Sequence, residues 1–527
     1  MQKLDPHVCY QAMQANDPRF DGRFLVGVAS TGIFCRPVCS ARLPKYENCT
    51  FYLSAGAAQQ AGYRPCLRCR PELAPAVNVN GLAGGTVVNR ALQLIEAGAL
   101  DEDSVAALAA RLGVSDRTLR QQFSRYVGTS PGQVAKTRRL LFAKRLIDET
   151  RLPMTEVAIS AGFKSIRSFN SAFQKTYGRS PSEFRRKTVS PIEEQTEAQK
   201  ETPFITLKLP FSRPYNWQAL MAFWQPRSIL GVEVATADQY CRSIVIDGQP
   251  GWVSVRPVAQ QPYLQVQIGQ VSVGRLSRVM ARLRQMFDVG VNVAAVEAHL
   301  ARSHVLAPLF SKARPSAPQS DTPASNSLLA QSKAQSNRGL RIPGAWDPFE
   351  LSVRAIVGQQ VSVAAATTVF NRIVATYGEP LAAPGKPAAL EKVFPPPQVL
   401  SDADLTLLGL VRAKAKAISH LAQVVSTQPD FFNQMTTLDS AVKTLCELPG
   451  IGPWTAHYIA MRALNEPDAL PPGDLALHRA AKRLGHAVTK KEFEQMAEAW
   501  RPWRGYGAMY LWQFDAQMQA SQVAMRC

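Results

Sequence analysis

The sequence predicts a multidomain α+β protein, and three observations support this fold class. At 527 residues the chain is too long for a single hydrophobic core. Two polar stretches without apolar periodicity divide it, and four of its nine cysteines form two close pairs. The expected order is a small cysteine-rich domain at 1–80, an all-α domain at 85–187, a linker at 188–203, a small antiparallel β-sheet with helices at 204–308, a disordered linker at 309–338 and an all-α domain at 339–520.

The formal net charge of +20 indicates a polyanionic partner. A basic protein without a particular partner is the alternative. No stretch of about 18 apolar residues occurs, and the first residues lack the apolar core of a signal peptide, so we expect a soluble, cytoplasmic protein that does not bind a membrane. Because the cytoplasm is reducing, close cysteine pairs are better explained as metal ligands than as disulfides.

The spacing of the two cysteine pairs predicts a metal site. Three residues separate Cys35 from Cys39, and two separate Cys66 from Cys69. Two such hooks suit one tetrahedral Zn²⁺, and four thiolates on a divalent ion keep sulfur nucleophilic towards an electrophile on DNA. Four arginines flank the cysteines: Arg36, Arg64, Arg68 and Arg70. The alternatives are a purely structural zinc and four unrelated buried thiols.

Residues 31–52, TGIFCRPVCSARLPKYENCTFY, and 61–72, AGYRPCLRCRPE, resemble the N-terminal domain of the Ada-type regulators of alkylation damage. The resemblance covers about residues 5–75. It implies that Cys35 accepts the methyl group of a methylphosphotriester in DNA, once per molecule, with the other three cysteines as companion zinc ligands. Methylation removes a negative charge beside the DNA phosphates, so affinity for DNA is expected to rise.

A duplicated helical segment follows. GVSDRTLRQQFSRYVGTSP (113–131) matches GFKSIRSFNSAFQKTYGRSP (162–181), and each predicts a helix-turn-helix. The spacing is similar to that of AraC-type regulators, which implies that both units bind one face of double-stranded DNA, with RNA polymerase as a candidate second partner. The candidate groove-reading side chains are Arg117, Thr118, Arg120, Gln121, Ser165, Arg167, Ser168 and Asn170. A solvated helix face or a phosphate contact is the alternative for each of them.

Three further patterns occur after residue 200. Alternating apolar residues around DGQPG (247–251) predict a small antiparallel sheet followed by helices. LPGIG (448–452) predicts a turn between two helices, in which Gly450 and Gly452 allow the backbone to approach a phosphate. A helix-joining turn without DNA is the alternative. Asp474, in LPPGDLALHR, precedes an apolar run and could cap the helix that begins there.

The second half of the chain resembles the helix-hairpin-helix DNA glycosylases, in particular the 3-methyladenine DNA glycosylase II (AlkA) branch. The resemblance is carried by the LPGIG turn, by Asp474 and by three longer segments: GLRIPGAWDPFELSVRAIVGQQVSVAAAT (339–367), PWRGYGAMYLW (502–512) and LKLPFSRPYNWQALMAFW (207–224). The resemblance covers nearly all of 204–515. It implies that Asp474 is the catalytic carboxylate and can cap its helix as well. It also places a flipped, cationic base over aromatic rings. The aromatic residues are Trp454, Tyr458, Trp512 and Phe223, and each could instead be a core residue.

Absent motifs and one substitution refine the expected reaction. Trp454 stands where strand-cutting relatives have a lysine, and no C-terminal run of four cysteines suggests an iron–sulfur cluster, so a monofunctional glycosylase is expected. Gln360 follows Gly358 and Gln359 where the AlkA branch has a leucine that fills the gap in DNA. No Pro-Cys-His-Arg methylguanine-repair motif occurs. The competing hypothesis is a DNA-binding transcription regulator with a structural zinc and no catalysis in the C-terminal block.

Overall fold

The computed structural model describes residues 4–74, 85–188, 203–310, 338–486 and 489–524. Most of both predicted linkers, 188–203 and 309–338, lies outside the described residues. Within the described part, no helix is long and apolar enough to cross a bilayer. The multidomain fold class is confirmed: a cysteine-rich domain with its own sheet, a helical domain, a second sheet with helices and a helical C-terminal domain follow one another.

The first domain is a four-stranded sheet with two helices. Its elements are α1 (Pro6–Gln14), β1 (Leu25–Val28), β2 (Ile33–Cys35), β3 (Cys49–Tyr52), α2 (Ala55–Gln60) and β4 (Arg64–Pro65). The strand order is β3-β1-β2-β4, and β2 runs parallel to β4, with Phe34 opposite Pro65. Parallel neighbours end at the same edge of a sheet, so Cys35 at the end of β2 and Cys66 directly after β4 are brought together.

The second domain contains the two predicted helix-turn-helix units. Its helices are α3 (Gly85–Glu96), α4 (Ala99–Glu102), α5 (Val105–Arg111), α6 (Asp116–Tyr126), α7 (Pro131–Glu149), α8 (Met154–Ser160), α9 (Ile166–Tyr177) and α10 (Pro181–Thr188). Ser115 and Ser165 cap α6 and α9 by accepting a backbone N–H three residues on. Gly113 and Gly162 take positive φ in the two tight turns, at +65° and +85°. The 19-residue α7 joins the units.

The third domain is a five-stranded antiparallel sheet with helices. Its elements are β5 (Phe204–Pro210), α11 (Trp217–Trp224), β6 (Glu233–Ala235), β7 (Tyr240–Ile246), β8 (Gln249–Pro257), β9 (Tyr263–Gly269), α12 (Leu276–Met286), α13 (Val293–Leu300) and α14 (Ala307–Phe310). The strand order is β5-β9-β8-β7-β6, so β5 is an edge strand. The predicted sheet is therefore present, with DGQPG at the β7–β8 turn.

The fourth domain is helical. Its helices are α15 (Pro348–Val357), α16 (Val363–Tyr377), α17 (Pro397–Asp402), α18 (Arg412–Thr427), α19 (Leu438–Cys446), α20 (Pro453–Ala463), α21 (Leu475–Arg483), α22 (Lys490–Ala497) and α23 (Arg504–Ala524). They surround one core that contains Ile356, Ile418, Leu445, Ile459 and Leu477, all buried. Burial of these apolar faces holds the α19–α20 turn beside the α15–α16 loop.

The N-terminal and C-terminal halves share a hydrophobic core, which the sequence did not predict. Leu146 of α7 and Phe173 of α9 belong to the same buried cluster as Leu207 of β5 and Val266 of β9. A buried ion pair also joins α7 to the first domain. Lys144 of α7 donates to Glu72 of the first domain at 2.7 Å.

Glu149, at the end of α7, extends this connection in two directions. Its carboxylate accepts from Arg70 of the first domain at 3.0 Å and from the Lys208 backbone N–H of β5 at 2.9 Å. One buried carboxylate therefore contacts both the cysteine-rich domain and the third domain.

Candidate functional sites

The four predicted cysteines form one cluster. The Sγ atoms of Cys35, Cys39, Cys66 and Cys69 all lie within 4.8 Å of one another. A tetrahedral zinc with Zn–S bonds of about 2.3 Å needs sulfurs about 3.8 Å apart, so the donor set fits the metal in number, type and spacing. The Arg36 backbone N–H donates to Cys69 Sγ at 3.3 Å, the kind of bond that steadies a thiolate ligand.

The arginines near this cluster divide into two groups. Arg36 pairs with the buried Asp21 and donates to the Cys69 carbonyl at 3.2 Å, while Arg70 pairs with Glu72 and Glu149. These two guanidiniums therefore neutralise carboxylates of the protein. Arg68 is exposed and Arg64 is half-buried, so they are the cationic groups of this set closer to solvent. Of the four arginines that flank the cysteines in the sequence, Arg36 and Arg70 are thus paired within the protein.

The predicted groove-reading residues of the helical domain lie on exposed helix faces. Arg117 and Arg120 project from α6, and Arg167 and Asn170 from α9. The opposite faces are buried through Leu119, Phe123, Phe169 and Phe173. Arg120 makes an i,i+4 ion pair with Asp116 at 3.0 Å, which is exposed and therefore readily exchanged for a phosphate.

Asp474 is both a helix cap and a cavity residue. Its Oδ1 accepts the backbone N–H groups of Ala476 and Leu477, each at 3.0 Å, as the N-cap of α21. Two indole N–H groups also donate to it: Trp454 to Oδ2 at 2.9 Å and Trp512 to Oδ1 at 3.1 Å. These four donors fix the carboxylate in one orientation, facing a cavity.

The cavity brings together all of the predicted aromatic residues. It has a volume of about 820 Å³, and its wall includes Asp474, Trp454, Tyr458, Trp512 and Phe223. The rings of Trp454 and Tyr458 stack, with centroids 5.2 Å apart and planes 13° apart. The cavity is large enough for a purine and combines apolar walls with the Asp474 carboxylate, whose orientation is set by its four donors.

Two arginines contact the rings of Phe223 and Tyr458. The guanidinium of Arg227 lies 4.0 Å from the Phe223 ring centre, and that of Arg462 lies 4.7 Å from it. Arg462 also donates to the Tyr458 hydroxyl at 2.6 Å. Burial would raise the pKa of Tyr458, but Arg462 and Arg227 outweigh it and hold that pKa below its ordinary value. The rings of Trp454 and Trp512 are therefore the better candidates for a cationic base.

The cavity wall also contains a buried ion-pair network that sequence alone did not reveal. Arg354 donates to Glu233 at 2.6 Å and to Glu350 at 2.7 Å, and Arg242 donates to Glu350 at 2.7 Å. The i,i+4 spacing of Glu350 and Arg354 was a usable signal, because such pairs meet on one face of a helix. Glu233 on β6 and Arg242 on β7 are distant from this helix in the sequence, and no sequence pattern connected them to it.

The predicted DNA-contacting turn and loop lie side by side. Gly450 is exposed with φ of +80°, and a Cβ there would lie 2.7 Å from the Ala417 side chain, so only glycine fits. Gly452 is exposed and precedes α20. Gln360 is exposed with φ of +56°, in a loop of which Gly358, Val361 and Ser362 line the cavity.

Models of four protein families match the chain. They are the metal-binding domain of Ada at residues 8–72, a helix-turn-helix domain at 108–187, the AlkA N-terminal domain at 206–316 and the HhH-GPD superfamily of base excision DNA repair proteins at 353–504. Together with the thiol cluster and the cavity, they define the class of protein: an Ada-type regulator fused to a base-excision repair protein.

Three relatives narrow this class. A probable bifunctional transcriptional activator/DNA repair enzyme AlkA of Mycobacterium tuberculosis is 33% identical over 96% of this chain and 95% of its own length. DNA-3-methyladenine glycosylase 2 of Escherichia coli is 30% identical over 57% of this chain and 94% of its own. The bifunctional transcriptional activator/DNA repair enzyme Ada of Escherichia coli is 34% identical over 33% and 48%. The chain belongs to the family of bifunctional AlkA/Ada-type proteins.

Proposed function

We propose that the C-terminal half, 204–308 with 339–520, is a monofunctional DNA glycosylase that hydrolyses the N-glycosidic bond of alkylated purines such as 3-methyladenine. The observation that carries this proposal is the Asp474 carboxylate, held by two indole N–H groups at the wall of an aromatic cavity. A base inside a duplex is out of reach of such a carboxylate, so the base must be flipped into the cavity.

The cavity suits a leaving group that is already positively charged. An alkylated purine departs with the bonding electrons and needs no protonation, so the remaining tasks are to stabilise positive charge on the sugar and to guide water to it. Asp474 performs both tasks: its negative charge stabilises the positive charge that develops on the sugar, and its carboxylate accepts the proton of the attacking water. The faces of Trp454 and Trp512 stabilise a cationic base by about 0.5–2 kcal/mol more than a neutral one.

Asp474→Asn tests this assignment without removing the helix cap, because asparagine caps helices as well as aspartate does. We expect release of free base from alkylated duplex DNA to fall by roughly 100- to 10,000-fold, the usual contribution of a general base. Asp347→Asn is the matched control, since Asp347 caps α15 and is not among the residues that line the cavity. Base release by Asp474→Asn at the wild-type rate would contradict the proposal and favour a block that only binds DNA.

For the first domain, 1–80, we propose stoichiometric methyl transfer from a DNA methylphosphotriester to Cys35. Zinc bound by Cys35, Cys39, Cys66 and Cys69 keeps the thiols deprotonated. In the transfer a C–S bond forms at Cys35, the methyl C–O bond breaks, and a phosphodiester anion leaves. Cys35 is half-buried, and the exposed Arg68 directly precedes Cys69 of the same cluster, which supports access by DNA.

Peptide mass spectrometry after incubation with methylated DNA tests this transfer. We expect the Cys35 peptide to gain the mass of one methylene group, at most once per molecule. The exposed Cys446 is an internal control for non-specific alkylation and should not change. An unmodified Cys35, or equal labelling of Cys446, would favour a purely structural zinc.

We further propose that residues 85–187 bind promoter DNA through α6 and α9 and that methylation of the first domain strengthens this binding. Arg117, Arg120, Arg167 and Asn170 are the proposed contacts, and RNA polymerase is a candidate partner. The exposure of these side chains over two capped helices supports the proposal. Footprinting of wild type and Arg167→Ala, at one fixed salt concentration, measures the contribution of the second unit.

A further inference from the structure

The loop between α15 and α16 forms part of the cavity rim. Gly358, Val361 and Ser362 line the cavity, while Gln360 between them is exposed. Gln360 has a φ of +56°, a left-handed conformation that costs a non-glycine residue about 1–2 kcal/mol. A side chain held at a cavity rim in a strained conformation is placed to enter a base stack when a base is extruded.

Lys414, on the first turn of α18, holds this loop from one side. Its Nζ donates to the Val357 carbonyl at 2.9 Å and to the Gln359 carbonyl at 2.5 Å. Val357 is the last residue of α15, and the carbonyls at a helix C-terminus carry partial negative charge that favours an ammonium. One cation therefore joins the residues on either side of Gly358 and fixes the backbone immediately before Gln360.

Gln359 holds the loop from the other side. Its Nε2 donates to the Gly450 carbonyl at 2.8 Å and to Thr455 Oγ1 at 3.0 Å. Gly450 belongs to the α19–α20 turn, and Thr455 to the first turns of α20. The loop that presents Gln360 and the turn proposed to approach a DNA phosphate are thus tied together through one side chain.

We propose that Lys414 is a positioning residue for base flipping: it fixes the strained backbone at Gln359–Gln360 so that Gln360 enters the base stack at a set distance from the DNA bound by Gly450. The inference rests on the proposed glycosylase function. Both Lys414 hydrogen bonds are to backbone carbonyls, one at the end of α15 and one in the loop, so we assign Lys414 a positioning role and not contact with the base or the sugar. Its effect is exerted on the extrusion step and not on bond cleavage.

The test compares Lys414→Met and Lys414→Arg on two duplexes with the same alkylated purine. In the first the lesion is paired, and in the second it stands opposite an abasic site, so that no base pair has to be broken to extrude it. We expect Lys414→Met to slow single-turnover excision roughly 10- to 100-fold on the paired duplex and much less on the second. Lys414→Arg, which keeps a cation and its donors, is expected to restore most of the rate.

Lys416→Met is the matched control, because Lys416 is exposed on the same helix two residues on. Equal losses by Lys414→Met on both duplexes would overturn the proposal, and so would an unchanged rate on the paired duplex. A phosphate-contacting lysine would instead lower the salt dependence of DNA binding by about one counterion. If wild type releases no base from either duplex, the glycosylase proposal itself fails.

Thermal unfolding of each variant separates misfolding from misplacement. Lys414→Met must keep the wild-type Tm and retain the faster excision from the abasic-opposed duplex. If Lys414→Met loses both the wild-type Tm and the faster excision, the test uses Gln359→Glu in its place. This substitution removes the hydrogen-bond donor to the Gly450 carbonyl on the other side of the same loop. The proposal predicts the same pattern for that variant, and excision reduced equally on the two duplexes would overturn it.

Discussion

The thiol cluster and the aromatic cavity are built in opposite ways. All four sulfurs come from two short hooks within residues 35–69, at the end of two adjacent parallel strands. The cavity gathers Phe223, Trp454, Asp474 and Trp512 from more than half the length of the chain. A metal can organise the first site with little surrounding core, whereas the second depends on the packing of two domains. The difference predicts how each site responds to substitution.

The largest expected effect is the loss of a zinc ligand. Cys66→Ser should release the metal and unfold the first domain, since structural zinc contributes about 10–16 kcal/mol in small zinc domains. Metal content and limited proteolysis of residues 4–74 measure this loss. Base excision should persist, because the cavity has its own core. Cys49→Ser, outside the cluster, is the control; loss of excision with Cys66→Ser alone would show that the two sites are not independent.

A smaller effect concerns pH. Burial raises the pKa of Asp288 to about 6, against the opposing effects of Arg341 and of a hydrogen bond from Tyr506. The folded state therefore holds a proton that the unfolded chain releases near pH 3.8. The contribution of this group is fully present below about pH 3.8 and is lost as pH rises towards 6, a change of about 3 kcal/mol. The zinc site has the opposite dependence, because its thiols must be deprotonated to bind metal.

Urea unfolding between pH 4 and 6 measures the sign of this effect. Asp288→Asn should flatten the fall in stability of the cavity half over this range, since asparagine does not titrate. The exposed Asp238→Asn should leave the slope as in wild type. An identical slope in Asp288→Asn and wild type would contradict the prediction.

The smallest expected effect removes one donor to the catalytic carboxylate. Trp512→Phe keeps an aromatic ring but deletes the indole N–H that donates to Asp474 at 3.1 Å. A hydrogen bond to a charged group contributes about 1.5–3 kcal/mol, so excision should slow roughly 10- to 100-fold while binding of abasic DNA changes little. Trp503→Phe is the control. Equal rates for Trp512→Phe and wild type would show that Trp454 and the two backbone donors suffice to orient the carboxylate.

The sequence predicted the residues of the thiol cluster more completely than those of the cavity, for physical reasons. The four cysteines are close along the chain, and the spacing of thiolate hooks is set by the metal, so the cluster was predicted residue by residue. Asp474 was predicted in both of its structural roles, because an N-cap has a local signature and the resemblance supplied the cavity. The network of Glu233, Arg242 and Glu350 was not predicted, since buried ion pairs between distant residues leave no periodic pattern.

The hydrophobic core shared by the N-terminal and C-terminal halves was not predicted either. Apolar periodicity shows that α7 and β5 each have a buried face, but it does not show which element covers that face. The polar stretches suggested separate blocks, whereas Leu146 and Leu207 share one core. Arg36 and Arg70 flank the cysteines in the sequence, but the sequence pattern did not show that Asp21, Glu72 and Glu149 pair with them.

Glu149 at the end of α7 has a consequence for the solubility of the cavity half. β5 is an edge strand, and such strands expose unpaired backbone groups that can recruit another chain. The Glu149 carboxylate occupies the Lys208 N–H and places a buried negative charge beside that edge. The regulatory half thus shields β5 from intermolecular strand pairing, and a fragment starting near residue 203 would expose that edge as a template for aggregation.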